Sequence, residues 1–140
     1  MISLSDYFGA KRLNPEVTEL MRLNATGLLD RVNDLLAEAR EAGEYNNWID
    51  VDTGTCVSGT KGGSGDGGFR LSYSTTGARN SQHRHARAVD VYDPHNTLDT
   101  FISDTLLMRH GLYREAPGKT PGWCHLQSVP PSSGRHTFLP

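Results

Sequence analysis

Cysteine is scarce: Cys56 and Cys124 are the only two in 140 residues, too few for a disulfide framework and without CxxC spacing. Positive charge is neither abundant nor clustered. Lysine and arginine total 14 against 16 aspartates and glutamates, a net charge of −2, which excludes a basic nucleic-acid binder of the usual kind. No apolar run approaches the roughly 20 residues of a membrane span, so no membrane partner is expected. The amino terminus, Met1-Ile-Ser-Leu-Ser-Asp-Tyr-Phe, lacks the basic start and apolar stretch of a signal peptide, and predicts a chain made and folded in a cytoplasm. Apolar residues are few as well, at 36%, while glycine is plentiful at 15. The length suits one domain over 1–140: a compact body with long glycine-rich loops.

Periodicity divides that domain into a helical part over about 1–43, a site-bearing part over about 48–129 and a tail over 130–140. Asn14 and Pro15 read as the cap and first position of a helix. Val17, Leu20, Met21, Leu28, Val32, Leu35, Leu36 and Ala39 form its apolar stripe, and Gly43 stops it. Gly27 costs that helix about 1 kcal/mol relative to alanine and marks a place where it can bend. Trp48–Val51 and Phe69–Tyr73 read as short strands, and a second helix runs from about Thr97 to Gly111. Leu112–Glu115 and Gly122–Gln127 are two more strands around a turn, and the proline-rich tail wraps the surface. The whole is an α+β pattern, a small and mostly antiparallel sheet flanked by helices. Gly63-x-Gly65-x-x-Gly68 matches a dinucleotide fingerprint only formally. Polar loop precedes it and a strand-like segment follows, where the fingerprint needs a strand and then a helix.

Six histidines are more than a surface needs. His83, Asp90 and His125 supply two imidazoles and one carboxylate, the three-ligand set of a catalytic zinc that leaves its fourth position to water. On an extended segment 122–127, Trp123, His125 and Gln127 share one face and Cys124 points to the other, which makes Cys124 a core residue.

Ser81-x-His83-x-x-x-x-Ala88-Val89-Asp90 followed by Trp123-x-His125 resembles the zinc D-alanyl-D-alanine carboxypeptidase and L-alanyl-D-glutamate endopeptidase superfamily, which shares the hedgehog signalling fold. The resemblance implies zinc on His83, Asp90 and His125. It also implies a substrate-carboxylate role for Arg70, within Gly68-Phe69-Arg70, with Arg79 as a rival. Thr120–Gln127, Pro130–Arg135 and the terminal Phe138-Leu-Pro are similar to a phage-associated branch of that superfamily. The expected activity is hydrolysis of peptidoglycan stem peptides by a zinc peptidase. It acts on the cell wall after release by lysis machinery or as part of a virion, with other phage tail proteins as partners in the latter case.

Three positions depart from the pattern. Ala86 stands where glycine is usual, which is tolerable if the backbone there is not left-handed. Gln127 replaces a common aspartate and can still orient a neighbour by hydrogen bonding. Gly122 occupies the position of the usual acidic general base. Glu115 is the substitute, because its strand would pair with the strand bearing His125; Asp93 is the weaker candidate. His85 reads as a residue of the cleft, His95, His110 and His136 as surface histidines, and Ser81 as a backbone hydrogen-bonding partner beside the ligand. Two other readings stand beside the peptidase. One is a zinc-stabilised structural or wall-binding subunit of a phage tail, favoured by Gly122 and Gln127. The other is a host peptidase acting on recycled dipeptides.

Overall fold

The computed structural model describes residues 1–59, 66–74, 76 and 81–140. Its elements in chain order are α1 (Leu4–Phe8), α2 (Glu19–Glu41), β1 (Ala88–Tyr92), α3 (Thr97–Phe101), α4 (Asp104–His110), β2 (Tyr113–Glu115), β3 (Trp123–Gln127) and β4 (Thr137–Phe138). The strands form one sheet in the order β1-β3-β2-β4, antiparallel except for the parallel pair of β2 with β4. This is the expected α+β class. No helix among the described residues is long and apolar enough to cross a membrane.

The apolar stripe on α2 buries Ala25, Leu28, Leu29, Val32, Leu35, Leu36 and Ala39. These join Val89, Val91, Leu107, Leu112, Cys124 and Leu126 in one core cluster. The helix starts later than Asn14-Pro15 suggests. The Asn14 side chain accepts from the Glu16 amide at 2.9 Å and folds residues 14–16 into a turn, and Thr18 caps the helix by accepting from Met21 at 3.1 Å. The helix continues through Gly27 and ends before Gly43, whose φ of +78° suits glycine.

Four further expectations are corrected. Trp48–Val51 is not a strand. The Asp50 carboxylate accepts from the Asp52 amide at 2.8 Å and the Gly59 amide at 2.7 Å, which turns the chain back and leaves only an isolated bridge from Asp50 to Thr55. Phe69–Tyr73 is not a strand either. Its amides go to separate places, Phe69 to the Tyr7 carbonyl and Arg70 to the His83 carbonyl. The helix expected over 97–111 is two, because Ile102 is extended and Ser103 caps a new helix by accepting from Leu106 at 3.1 Å. The tail does not merely wrap the surface. The Arg114 and Ala116 amides donate to the His136 and Phe138 carbonyls, both at 2.7 Å, and add β4 to the sheet edge.

Candidate metal centre

Antiparallel pairing of β1 with β3 places Asp90 directly opposite His125. His83 comes from a short 3-10 turn, Gln82–His85, whose first amides are capped by Ser81: its hydroxyl accepts from the His83 amide at 3.3 Å. Ser81 thus does the backbone-bonding work expected of it. The turn ends at Ala86 with φ +56° and ψ +38°. The condition under which alanine was expected to be tolerable therefore fails: the backbone is left-handed, and Ala86 carries the strain that a glycine would avoid.

The three side chains are buried, and three atoms converge. His83 Nε2 lies 3.3 Å from Asp90 Oδ1 and 3.3 Å from His125 Nδ1, which is itself 3.0 Å from Asp90 Oδ1. Partners on the far sides fix which nitrogens carry hydrogen. His83 Nδ1 faces the Gly68 carbonyl at 2.8 Å; a carbonyl can only accept, so Nδ1 donates and Nε2 presents a lone pair. Gln127 Nε2 donates to the Val129 carbonyl at 2.8 Å, so its Oε1 is the atom facing His125 Nε2 at 2.8 Å, and it accepts. That leaves His125 Nδ1 with a lone pair toward the centre. Two imidazole lone pairs and a carboxylate oxygen pointing at one another repel unless a cation sits among them.

His83, Asp90 and His125 are a set that could hold a metal ion. The spacing fits one well. Metal–ligand bonds of about 2.0–2.1 Å at the tetrahedral angle put neighbouring ligand atoms about 3.3 Å apart. The Gln127 amide and the Gly68 carbonyl act as the outer acceptors that orient ligating histidines.

Charge follows the same geometry. Burial would raise the Asp90 carboxyl, but the neighbouring imidazoles of His83 and His125 hold it well below the usual carboxylate range. Burial pushes His83 down, against the pull of Asp90. Burial would also lower His125, yet the Asp90 hydrogen bond and charge, joined by Glu115, carry it above the usual imidazole value. Without a metal, Asp90 favours the protonated form of His125.

The other candidates are distributed around the triad. Arg70 is buried beside it, with Nε donating to the Asp66 carbonyl at 2.7 Å and Nη2 3.4 Å from Asp90 Oδ2. Its Nη1 contacts, to the Thr76 carbonyl and the Ser81 hydroxyl, are longer at 3.3 and 3.5 Å. Arg79 lies outside the described residues. Glu115 is half-buried on β2. The β2–β3 register pairs Tyr113 with Gln127 and Arg114 with Leu126, so the next step sets Glu115 abreast of His125, whose imidazole feels its charge.

Asp93 is no free base. Its two carboxylate oxygens accept from the Leu98 and Asp99 amides at 3.2 and 3.0 Å, which commits it to the start of α3. Gly122 has φ +93°, a conformation that suits glycine and not an acidic residue. His85 is exposed, and its carbonyl accepts from the Asn24 side chain. Exposed His95 lies edge-on to Trp48, but His110 bonds Glu38 at 2.8 Å and His136 bonds the Leu112 carbonyl at 2.9 Å, so these two are not simple surface residues. Cys124 is fully buried on the opposite face of β3, as strand alternation requires.

Two glycines carry the site unforeseen. The Gly67 carbonyl accepts from the Asp90 amide at 2.7 Å, and the Gly68 carbonyl holds His83. A Cβ at Gly67 would lie 1.8 Å from the Ser58 carbonyl oxygen, and one at Gly68 would lie 2.0 Å from the Tyr7 carbonyl oxygen. The only signal in the sequence is the adjacent pair itself, standing just before Phe69-Arg70. No family model matches the chain, and no curated protein or solved structure is significantly similar to it.

Proposed function

We propose that the chain is a zinc metallopeptidase that hydrolyses peptidoglycan stem peptides, of the D-Ala-D-Ala carboxypeptidase or L-Ala-D-Glu endopeptidase type, in the setting of a bacteriophage. The observation that carries the reading is the convergence of His83 Nε2, His125 Nδ1 and Asp90 Oδ1, each oriented from behind. The resemblance of the residues around the triad supplies the substrate class.

A zinc ion held by these three residues supplies Lewis-acid polarisation of a carbonyl and acidifies water. The protein's own side chains do the rest. Glu115 accepts the proton of the attacking water and returns it to the leaving amine, which lets one carboxylate serve both halves of the reaction. Arg70 exchanges its two long Nη1 contacts for the substrate's carboxylate, while Nε stays anchored on the Asp66 carbonyl. Gln127 and Gly68 keep the two imidazoles in the tautomers that present lone pairs.

The test is release of free D-alanine or of new amino termini from purified peptidoglycan by zinc-loaded wild type, His83→Ala, Glu115→Gln and Arg70→Ala. His83→Ala abolishes release. Glu115→Gln lowers kcat by about 10²–10⁴ with zinc binding intact, and Arg70→Ala acts mainly on KM. The products name the bond. An inactive zinc-loaded wild type favours the second reading, a zinc-stabilised structural or wall-binding subunit of a phage tail. Gly122, which the left-handed backbone reserves for a residue without a carboxylate, is the observation on its side.

A further inference from the structure

The segment that carries Arg70 is not held by a sheet. Residues 66–74 contain no strand, so the direction of the Arg70 side chain depends on what packs and bonds around an irregular backbone. Much of that support comes from the amino-terminal part of the chain. The Tyr7 carbonyl accepts from the Phe69 amide at 3.2 Å, and the Phe8 ring packs on that of Phe69 with centroids 5.4 Å apart. The Glu16 carboxylate accepts from the Ser72 amide at 2.6 Å and from the Ser72 hydroxyl at 3.1 Å.

Lys11 bonds the segment at its turn. It lies on the 3-10 turn Gly9–Leu13 that follows α1, and its Nζ donates to Asp66 Oδ1 at 2.6 Å and to the Phe69 carbonyl at 2.8 Å. The other Asp66 oxygen accepts from the Ser74 hydroxyl at 2.8 Å. With its carboxylate fixed on both sides, Asp66 presents its carbonyl to Arg70 Nε at 2.7 Å. The side chains of Lys11 and Asp66 are 20% and 11% exposed, so the pair is shielded from the solvent that makes surface ion pairs weak. Removing one partner leaves the other charge largely buried. Burial opposes ionisation of Asp66, yet the hydrogen bonds from Lys11 and Ser74 hold its carboxyl below the usual value.

We infer that Lys11 is a positioning residue for substrate binding: through Asp66 it fixes the Arg70 guanidinium with Nε turned to the Asp66 carbonyl and Nη1 turned to the incoming carboxylate. The inference rests on the peptidase reading, in which Arg70 takes that carboxylate, and deepens it. Nε is the pivot. A guanidinium is planar, so a bond at Nε sets the plane in which both Nη groups lie. Nη2 then sits 3.4 Å from Asp90 Oδ2, and Nη1 makes the contacts, at 3.3 and 3.5 Å, that a carboxylate can replace. Without the ammonium of Lys11, Asp66 and the Phe69 carbonyl lose a shared donor, the turn between them relaxes, and Nε loses its fixed acceptor.

The experiment uses the full zinc-loaded chain as wild type, Lys11→Met and Asp66→Asn, each also combined with Arg70→Ala. Methionine keeps the stem without the ammonium, and asparagine keeps the carbonyl without the charge. The substrates are a peptidoglycan stem peptide with free carboxylates and the same peptide with those groups converted to amides. Lys11→Met raises KM for the carboxylate peptide by about 10-fold, the low end for one lost charge-assisted hydrogen bond, and leaves kcat unchanged. Asp66→Asn acts in the same direction, the amide peptide is unaffected, and neither substitution adds to Arg70→Ala. An unchanged KM overturns the inference. So does a loss that appears in kcat, falls equally on both peptides or persists on top of Arg70→Ala, and so does an effect of Lys11→Met that Asp66→Asn does not share. Solvent exchange of the Arg70 Nε proton, followed by NMR, reads the positioning without turnover: the proton is protected in wild type and loses its protection in both variants, while the β3 amides keep theirs. If wild type hydrolyses neither peptide, the peptidase reading fails, and this exchange decides the positioning of Arg70 by Lys11 separately. Protection lost at Arg70 alone upholds it. Protection absent from wild type, kept in the variants or lost together with the β3 amides overturns it.

Discussion

Gln127 Oε1 accepts a hydrogen bond from Nε2 of His125, two residues earlier on the same strand, at 2.8 Å, and this contact decides which nitrogen of His125 faces the other ligands. Adjacent same-face residues on a strand make such a pair without help from elsewhere, but the amide's orientation depends on its second bond, to the Val129 carbonyl. Gln127→Leu removes the acceptor and frees the imidazole to change tautomer. Zinc affinity is expected to fall by about 10–100-fold, measured by competition with a chromophoric chelator, and Gln127→Glu to retain or strengthen binding. An unchanged affinity in Gln127→Leu contradicts the assigned tautomer.

Zinc and the proton compete for one place. The pKa of His125 is raised, because the Asp90 hydrogen bond and charge, with Glu115, outweigh the opposing effect of burial. The stability that this imidazolium gives the metal-free fold is fully present below the unfolded pKa and fades as pH rises through the folded one. Asp90 has the opposite sign: its depressed pKa lends stability above the unfolded value, lost as pH falls through the folded one. Metal binding requires the deprotonated imidazole, so the rise in Tm on adding zinc grows between about pH 5 and pH 8. Near neutral pH, zinc at about a thousand times its Kd contributes roughly 4 kcal/mol, and chelation removes it. Calorimetric scans across that range, with and without chelator, check both slopes; a zinc increment independent of pH, or one preserved in His83→Ala, goes against the triad as the site.

Gly68→Ala tests the backbone acceptor of His83. The new methyl would meet the Tyr7 carbonyl oxygen at 2.0 Å, and a backbone atom cannot swing aside as a side chain can. Either α1 or the Gly68 segment must move, at a cost of about 1–3 kcal/mol. If the Gly68 segment moves, the carbonyl that receives His83 Nδ1–H moves with it. Chemical denaturation should show the loss of stability, and zinc titration a weaker site; a variant with wild-type stability would mean that the close approach is absent in solution.

Ala86→Gly runs the other way. Ala86 is buried in a left-handed conformation that costs a residue with a Cβ about 1–2 kcal/mol. Glycine relieves that cost and gives up the burial of one methyl, worth about 0.8 kcal/mol, together with some unfolded-state entropy. The variant is expected to be as stable as wild type or modestly more so, by equilibrium denaturation, whereas Ala86→Val should lose several degrees of Tm. A marked loss on Ala86→Gly would show that the methyl's packing, not the backbone, governs this position.

Local chemistry wrote part of this protein into the sequence. The 3.6-residue stripe of α2 and the alternation that turns Cys124 inward and His125 to the other face depend on residues close together or on fixed periods. So does the hydrogen bond from His125 to Gln127. Capping competition was legible only in part: Thr18 and Ser103 were present to be read, but nothing local says that Thr18 wins over Asn14 or that Ser103 splits a helix. Tertiary structure alone decided the rest, because those features depend on contacts between distant segments. The tail became a strand because β2 had an unpaired edge to fill. Ala86 became left-handed because a 3-10 turn must hand over to β1 within three residues. Gly67 and Gly68 became indispensable because the backbones of Ser58 and Tyr7 come to rest against them. Periodicity can report which face of an element is apolar; which backbone will arrive there, and what it leaves no room for, is settled only when the segments pack.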